Sequence, residues 1–199
     1  MSGNAQINSS EAADRLLAAL GEQLQLAGEK YDLIVIGGSA LLALDLVTRP
    51  TRDIDVVAMA SDDGPVEAVP LPGPLVQARN RVARDFGVPE DWLNSEAGHD
   101  MLRLGLPDGF FERLARRDYG TALTVRWASR YDLIHFKLHA AVDRGGGKHL
   151  ADLEALGPTP QELIAAARWA RTHDPSEGFL SLLREAFAYF EVDDGDLEA

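Results

Sequence analysis

The sequence predicts an α+β fold: a mixed α/β core with flanking helices, followed by a C-terminal helical region. Three observations carry that expectation. Tyr31 to Met59 reads as a buried strand, a Gly-Gly-Ser turn, a short apolar helix, a basic loop and a second strand. Ala122 to Trp127, ALTVRW, has the β-branched and aromatic content of a further strand. From Tyr131 onward the apolar residues return at helical spacing, interrupted by glycines and prolines. The expected division is a core with its N-terminal helix over residues 1–128, and a helical region packed on it over residues 129–199.

Taken in order, Ser9 to Gly28 opens with candidate caps at Ser9 or Ser10. Leu16, Leu17, Leu20, Leu24 and Ala27 then follow on one helical face, with Leu26 off it. Leu33 to Ile36 is an unbroken apolar run, the mark of a strand covered on both faces. Ala40, Leu41, Leu42, Leu44 and Leu46 form the short apolar helix, and VTRPTR returns the chain to the strand opened by Asp53-Ile54-Asp55. Ser61 to Pro74 has no sustained period and reads as a surface loop. Leu75 to Phe86 suits a helix with a solvated basic face at Arg79, Arg81 and Arg84. Pro89 to Trp92 begins a helical turn that Trp92 and Leu93 anchor to the core, and His99 reads as a surface or supporting histidine.

Beyond the third strand, Tyr131 to Ala141 continues as a helix, with Asp132 placed to favour its N-terminus. His135 and His139 lie one turn apart there, without the intervening Glu or third ligand of a zinc site. Arg144 to Lys148, RGGGK, lacks the full phosphate-loop spacing and follows a helix, so its glycines read as an interhelical turn. Lys148 to Leu156, Gln161 to Thr172 and Glu177 to Tyr189 read as three more helices, ending in the acidic and solvated EVDDGDLEA.

Composition narrows the function classes. Cysteine is absent, which excludes disulfides and thiolate chemistry and fits a reducing, cytoplasmic setting. No stretch approaches the ~20 apolar residues of a membrane span, and MSGNAQINSSEAAD lacks the parts of a signal peptide. The formal net charge of -13 repels long nucleic acid. A metal-bound nucleotide is compatible with it, because binding answers to the local field of a pocket.

The chemistry concentrates at the first two strands. Side chains alternate along a strand, so Asp53 and Asp55 share a face while Ile54 points the other way. Paired carboxylates repel unless a positive charge sits between them. A hard divalent cation such as Mg²⁺ or Mn²⁺ supplies it and takes oxygen ligands. Gly37 and Gly38 permit close backbone approach, and a helix starting at Ser39 offers N–H groups to an anion. Arg49 and Arg52 bracket the carboxylates, either to meet triphosphate oxygens or to offset the acids. The combination suggests a nucleoside triphosphate site.

With those residues placed, the chain resembles the nucleotidyltransferase superfamily with a polymerase-beta-like core, most closely the AbiEii-type bacterial toxins and their relatives. Gly37-Gly38-Ser39 is similar to that family's turn and Asp53-Ile54-Asp55 to its DxD strand; Lys137, Arg144, Lys148 and Asp152-Leu153 extend the likeness. The resemblance implies a polymerase-beta-like sheet and catalytic, metal-binding Asp53 and Asp55. It implies that Gly37, Gly38, Ser39, Arg52 and Lys137 contact a nucleotide such as ATP. The implied reaction moves a nucleoside monophosphate to an acceptor hydroxyl, in a toxin–antitoxin system with an antitoxin protein as partner. An RNA acceptor is compatible with that chemistry but draws no support from the net charge. Typical members carry a third carboxylate on a later strand. ALTVRW has none; Asp118 precedes it and Asp132 follows it, Glu112 is a further acid, and His149 stands where relatives commonly have Asp. That departure leaves open a non-catalytic nucleotide-binding module, or a protein-interaction module on the same scaffold.

Overall fold

The computed structural model describes residues 7–47, 49–62, 64–193 and 195, and for residues 97–100 the backbone alone. The expectations for the His99 side chain and for the end of the acidic tail lie outside the described residues. The chain forms two compact units, Met1–Ser129 and Arg130–Ala199. The fold is α+β, with a six-stranded mixed sheet among the described residues of the first unit and helices in the second.

The first unit opens with α1 (Ser10–Ala27). The Ser9 hydroxyl accepts from the Ala12 N–H at 3.2 Å, and Gly28 ends the helix in the left-handed conformation that glycine adopts without strain. Leu16, Leu17, Leu20 and Leu24 are buried, while Leu26, off the stripe, is 83% exposed. Gly21 lets the helix lie on the sheet: a Cβ there would stand 2.4 Å from the Tyr119 carbonyl oxygen. Asp14 fixes the same contact by accepting from Arg117 at 2.7 Å and from the Tyr119 hydroxyl at 2.5 Å.

β1 (Tyr31–Ile36) is the middle strand of the order β3-β2-β1-β6-β5. It pairs antiparallel with β2 (Ile54–Ser61) and parallel with β6 (Leu123–Trp127), so both its edges and faces are covered, as its apolar run implies. Three elements depart from the sequence expectation. Ser61 to Pro74 is not all loop, because β3 (Gly64–Glu67) folds back on β2 as a hairpin. Exposed Pro65, Val66 and Glu67 give that edge strand no burial period. β5 (Ala115–Tyr119) pairs antiparallel with β6 and buries only Tyr119. After α3 (Gly73–Phe86), the chain makes a turn at Pro89–Trp92 and then a two-residue strand, β4 (Leu93–Asn94), parallel to the start of β2. The helix α4 (Glu96–Leu104) follows. Trp92 and Leu93 are fully buried, as anticipated. Arg79 is more than part of a solvated face, because its guanidinium donates to the Leu93 carbonyl at 3.1 Å.

In the second unit α5 (Arg130–Asp143) packs against α6 (Gly147–Leu156), α7 (Pro160–His173) and α8 (Glu177–Tyr189). Its buried residues occur on every side, including Asp132, Lys137 and His139. Gly145 and Gly147, both at positive φ, form the turn between α5 and α6. Thr159 and Glu162 form a reciprocal capping box at the start of α7. Arg130 braces that corner through Glu162 at 2.6 Å and the Leu156 and Gly157 carbonyls. No helix among the described residues is long and apolar enough to cross a membrane.

Candidate functional site

β1 delivers the chain to the glycine turn. Gly37 has φ 82°, a conformation that side chains strain to adopt, and α2 (Gly37–Ala43) begins there. A Cβ on Gly37 would lie 2.4 Å from Asp55 Oδ2, so the absent side chain is what admits the carboxylate against the turn. At Gly38 a Cβ would stand 2.9 Å from Thr51 Oγ1 and 3.5 Å from an Arg49 guanidinium nitrogen. The helix is shorter than expected, ending at Ala43, and Leu44 and Leu46 lie beyond it. Ser39 is fully buried, with its hydroxyl donating to the Ile36 carbonyl at 3.4 Å.

Asp55 sits on β2 opposite Ile36, and Asp53 immediately precedes the strand. Ile54 and Val56 are fully buried, whereas both aspartates are half-buried, which is the alternation that puts the carboxylates on one face. Thr51 Oγ1 donates to the Asp53 carbonyl at 3.3 Å. Of the bracketing arginines, Arg49 lies beside Gly38, while Arg52 pairs with Asp91 at 2.7 Å, each partner more than half exposed.

Within ALTVRW, which carries no third acid, Leu123–Trp127 forms β6. β6 pairs with β1 rather than with β2. The strand beside the start of β2 is β4, which sets Leu93 against Ile54 and Asn94 against Asp55. Asn94 Nδ2 donates to Asp53 Oδ2 at 3.3 Å and to the Asp91 carbonyl at 3.4 Å. A two-residue strand leaves no periodic trace, and only the pairing reveals it. Asp118 is exposed on β5, where it accepts from the Thr124 hydroxyl and then from Arg116, which together hold its carboxyl below the usual range.

In the second unit Lys137 Nζ lies 2.7 Å from Asp152 Oδ2, and both side chains are buried. His149, the departure noted beside Lys148, is pushed down to about 4 by burial and then by the charges of Lys137 and Lys148. His135 Nδ1 meets the Tyr131 carbonyl at 2.9 Å, and His139 meets Trp169 and His173 edge to face and Phe179 at a tilt. Burial lowers the pKa of both His139 and His173.

Among the described residues no group of three or more His, Cys, Asp or Glu is arranged to hold a metal ion. Asp53 and Asp55 offer a two-carboxylate set of hard oxygens, partly open to solvent, with Asp55 seated against the glycine turn. That donor set fits Mg²⁺ or Mn²⁺, which bind through one or two carboxylates and complete their shells with water or phosphate oxygens. A cavity of about 230 Å³ lies elsewhere, lined by Ile7, Ala12, Arg15, Leu16, Phe86 and Val88.

Comparison with known proteins gives one family: residues 15–146 match the family described as "Nucleotidyltransferase of unknown function (DUF6036)". No curated protein and no solved structure matches the chain.

Proposed function

The chain belongs to this nucleotidyltransferase family, and from that premise we propose that it is a metal-dependent enzyme transferring a nucleoside monophosphate from a triphosphate to an acceptor hydroxyl. The observation that carries the reading is the seating of Asp55 against Gly37, which brings one carboxylate of the pair to the glycine turn. Asp53 and Asp55 would hold Mg²⁺ or Mn²⁺. When bound, such a cation supplies Lewis-acid polarisation of phosphate oxygens and an electrostatic template for in-line displacement. The chain's own part is positioning. The bare backbone at Gly37 and Gly38 lets Asp55 and Thr51 close on the turn, where phosphate oxygens would meet the main chain, and Ser39, hydroxyl turned inward, stiffens the turn. Arg49 adds positive charge beside that turn. Arg52 is the further phosphate contact we propose. It would exchange its present carboxylate, Asp91, for phosphate oxygens.

Transfer from labelled nucleoside triphosphates across a panel of hydroxyl acceptors, with Asp53→Ala and Asp55→Ala as controls, tests the activity. Label transfer lost in both variants is the expected result; no Asp-dependent transfer or binding by wild-type protein would remove the proposal. The setting we propose is the toxin half of a bacterial toxin–antitoxin pair of AbiEii type, with a protein antitoxin. Its test is growth arrest on expression, abolished by Asp55→Ala and relieved by the protein encoded beside it.

A second reading has its own support. The polar side chain in register with Asp55 on β4 is an amide, Asn94, not a third acid. That arrangement favours a site that binds metal and nucleotide without turnover. Calorimetric binding that depends on Asp53, together with no transfer to any acceptor, would select this alternative.

A further inference from the structure

We propose that Asn94 is a positioning residue for the carboxylate pair, orienting Asp53 toward a divalent cation while leaving its negative charge intact. The proposal rests on the reading of Asp53 and Asp55 as cation ligands. Both partners of the Asn94 side-chain nitrogen, Asp53 Oδ2 and the Asp91 carbonyl, are acceptors. The amide therefore has to present its NH₂ group to them. In a parallel pair the register partners share a face, so Asn94 stands on the side occupied by Asp55 and Asp53.

The anchor of that amide is firm. The Ile54 N–H donates to the Trp92 carbonyl at 2.7 Å, the Arg79 guanidinium donates to the Leu93 carbonyl at 3.1 Å, and Trp92 Nε1 donates to the Arg79 carbonyl at 3.2 Å. With Trp92 and Leu93 fully buried, the backbone at Asn94 has little room to shift. A neutral donor differs from an arginine at this position. It restricts the carboxylate's rotation but brings no charge to compete with a cation. The arginine next to Asp53 in sequence, Arg52, is meanwhile paired with Asp91, the residue whose carbonyl accepts the second Asn94 bond. The short segment Asp91–Asn94 thus orients Asp53 through a neutral donor.

The test is Mn²⁺ binding followed by electron paramagnetic resonance, on the full chain without nucleotide, for wild type, Asp53→Asn, Asn94→Leu and Asn94→Asp. Circular dichroism and thermal melting report folding of each. Asn94→Leu should weaken Mn²⁺ binding about three- to tenfold, the range of one ordinary hydrogen bond. Asn94→Asp should tighten it, because an added carboxylate beside Asp53 raises the negative field on the cation. A folded Asn94→Leu that binds Mn²⁺ like wild type would overturn the positioning role alone. If Asn94→Leu does not fold, Asn94→Ala decides, because it removes the same donor without adding charge, and unchanged affinity there also overturns it. Wild-type protein whose Mn²⁺ binding is absent, or is untouched by Asp53→Asn, would remove the cation reading and this role together.

Discussion

At the scale of the residue, one glycine decides whether the two halves of the site can meet. Gly37 combines a left-handed backbone with an Asp55 oxygen where a side chain would begin. Gly37→Ala is expected to cost about 1–3 kcal/mol of stability through the strained backbone. It should also weaken cation and nucleotide binding, because the Asp55 carboxylate must move off the turn. Chemical denaturation and a binding isotherm on the same sample separate the two effects, and an unchanged isotherm would disconnect the turn from the carboxylates. The GGS and DID motifs were legible in the sequence by type and spacing. The inward turn of Ser39 was not, because a buried serine and a ligand-facing serine read alike.

At the scale of the element, α5 holds the second unit together as a helix buried on several sides, with Lys137 and Asp152 joined across to α6. Removing one partner leaves the other charge buried without its counter-ion. Lys137→Met is accordingly expected to destabilise by about 3–5 kcal/mol, while Lys137→Met combined with Asp152→Leu recovers much of the loss. A double-mutant cycle measured by urea unfolding checks this; additive losses would mean the pair does not act as a unit. The helices α1, α3, α7 and α8 were legible because burial repeats every turn. The strands β3, β4 and β5 were not, for a common reason: each is short or lies at an exposed edge, so its residues carry no alternation.

At the scale of the whole molecule, acid should act on the second unit through its histidines. His139, His149 and His173 all have pKa values lowered chiefly by burial, His149 to about 4. A histidine depressed in the folded state takes up protons more readily when unfolded. Stability is therefore full above the ordinary histidine range near 6.5 and falls as pH drops toward 4. Urea midpoints across that window should decline with acid, and His149→Gln should flatten part of the slope; a flat wild-type profile would refute the assignment. Ligand linkage gives a second expectation for the whole chain. Mg²⁺ with a nucleoside triphosphate at a hundredfold excess over its Kd should add about 2.7 kcal/mol of stability. The matching rise in Tm should vanish in Asp53→Ala.

By itself the sequence determined the α+β class, the central strand, the turn–helix–strand order and the face shared by Asp53 and Asp55. Each follows from period, glycine placement and burial, which are local properties of the chain. Only the tertiary structure decided which side chains surround those acids. It diverted Arg52 to Asp91 and brought Asn94 to Asp53 across 41 positions of sequence. Strand pairing joins residues distant along the chain by hydrogen bonds between main-chain groups, and those groups are the same in every residue but proline.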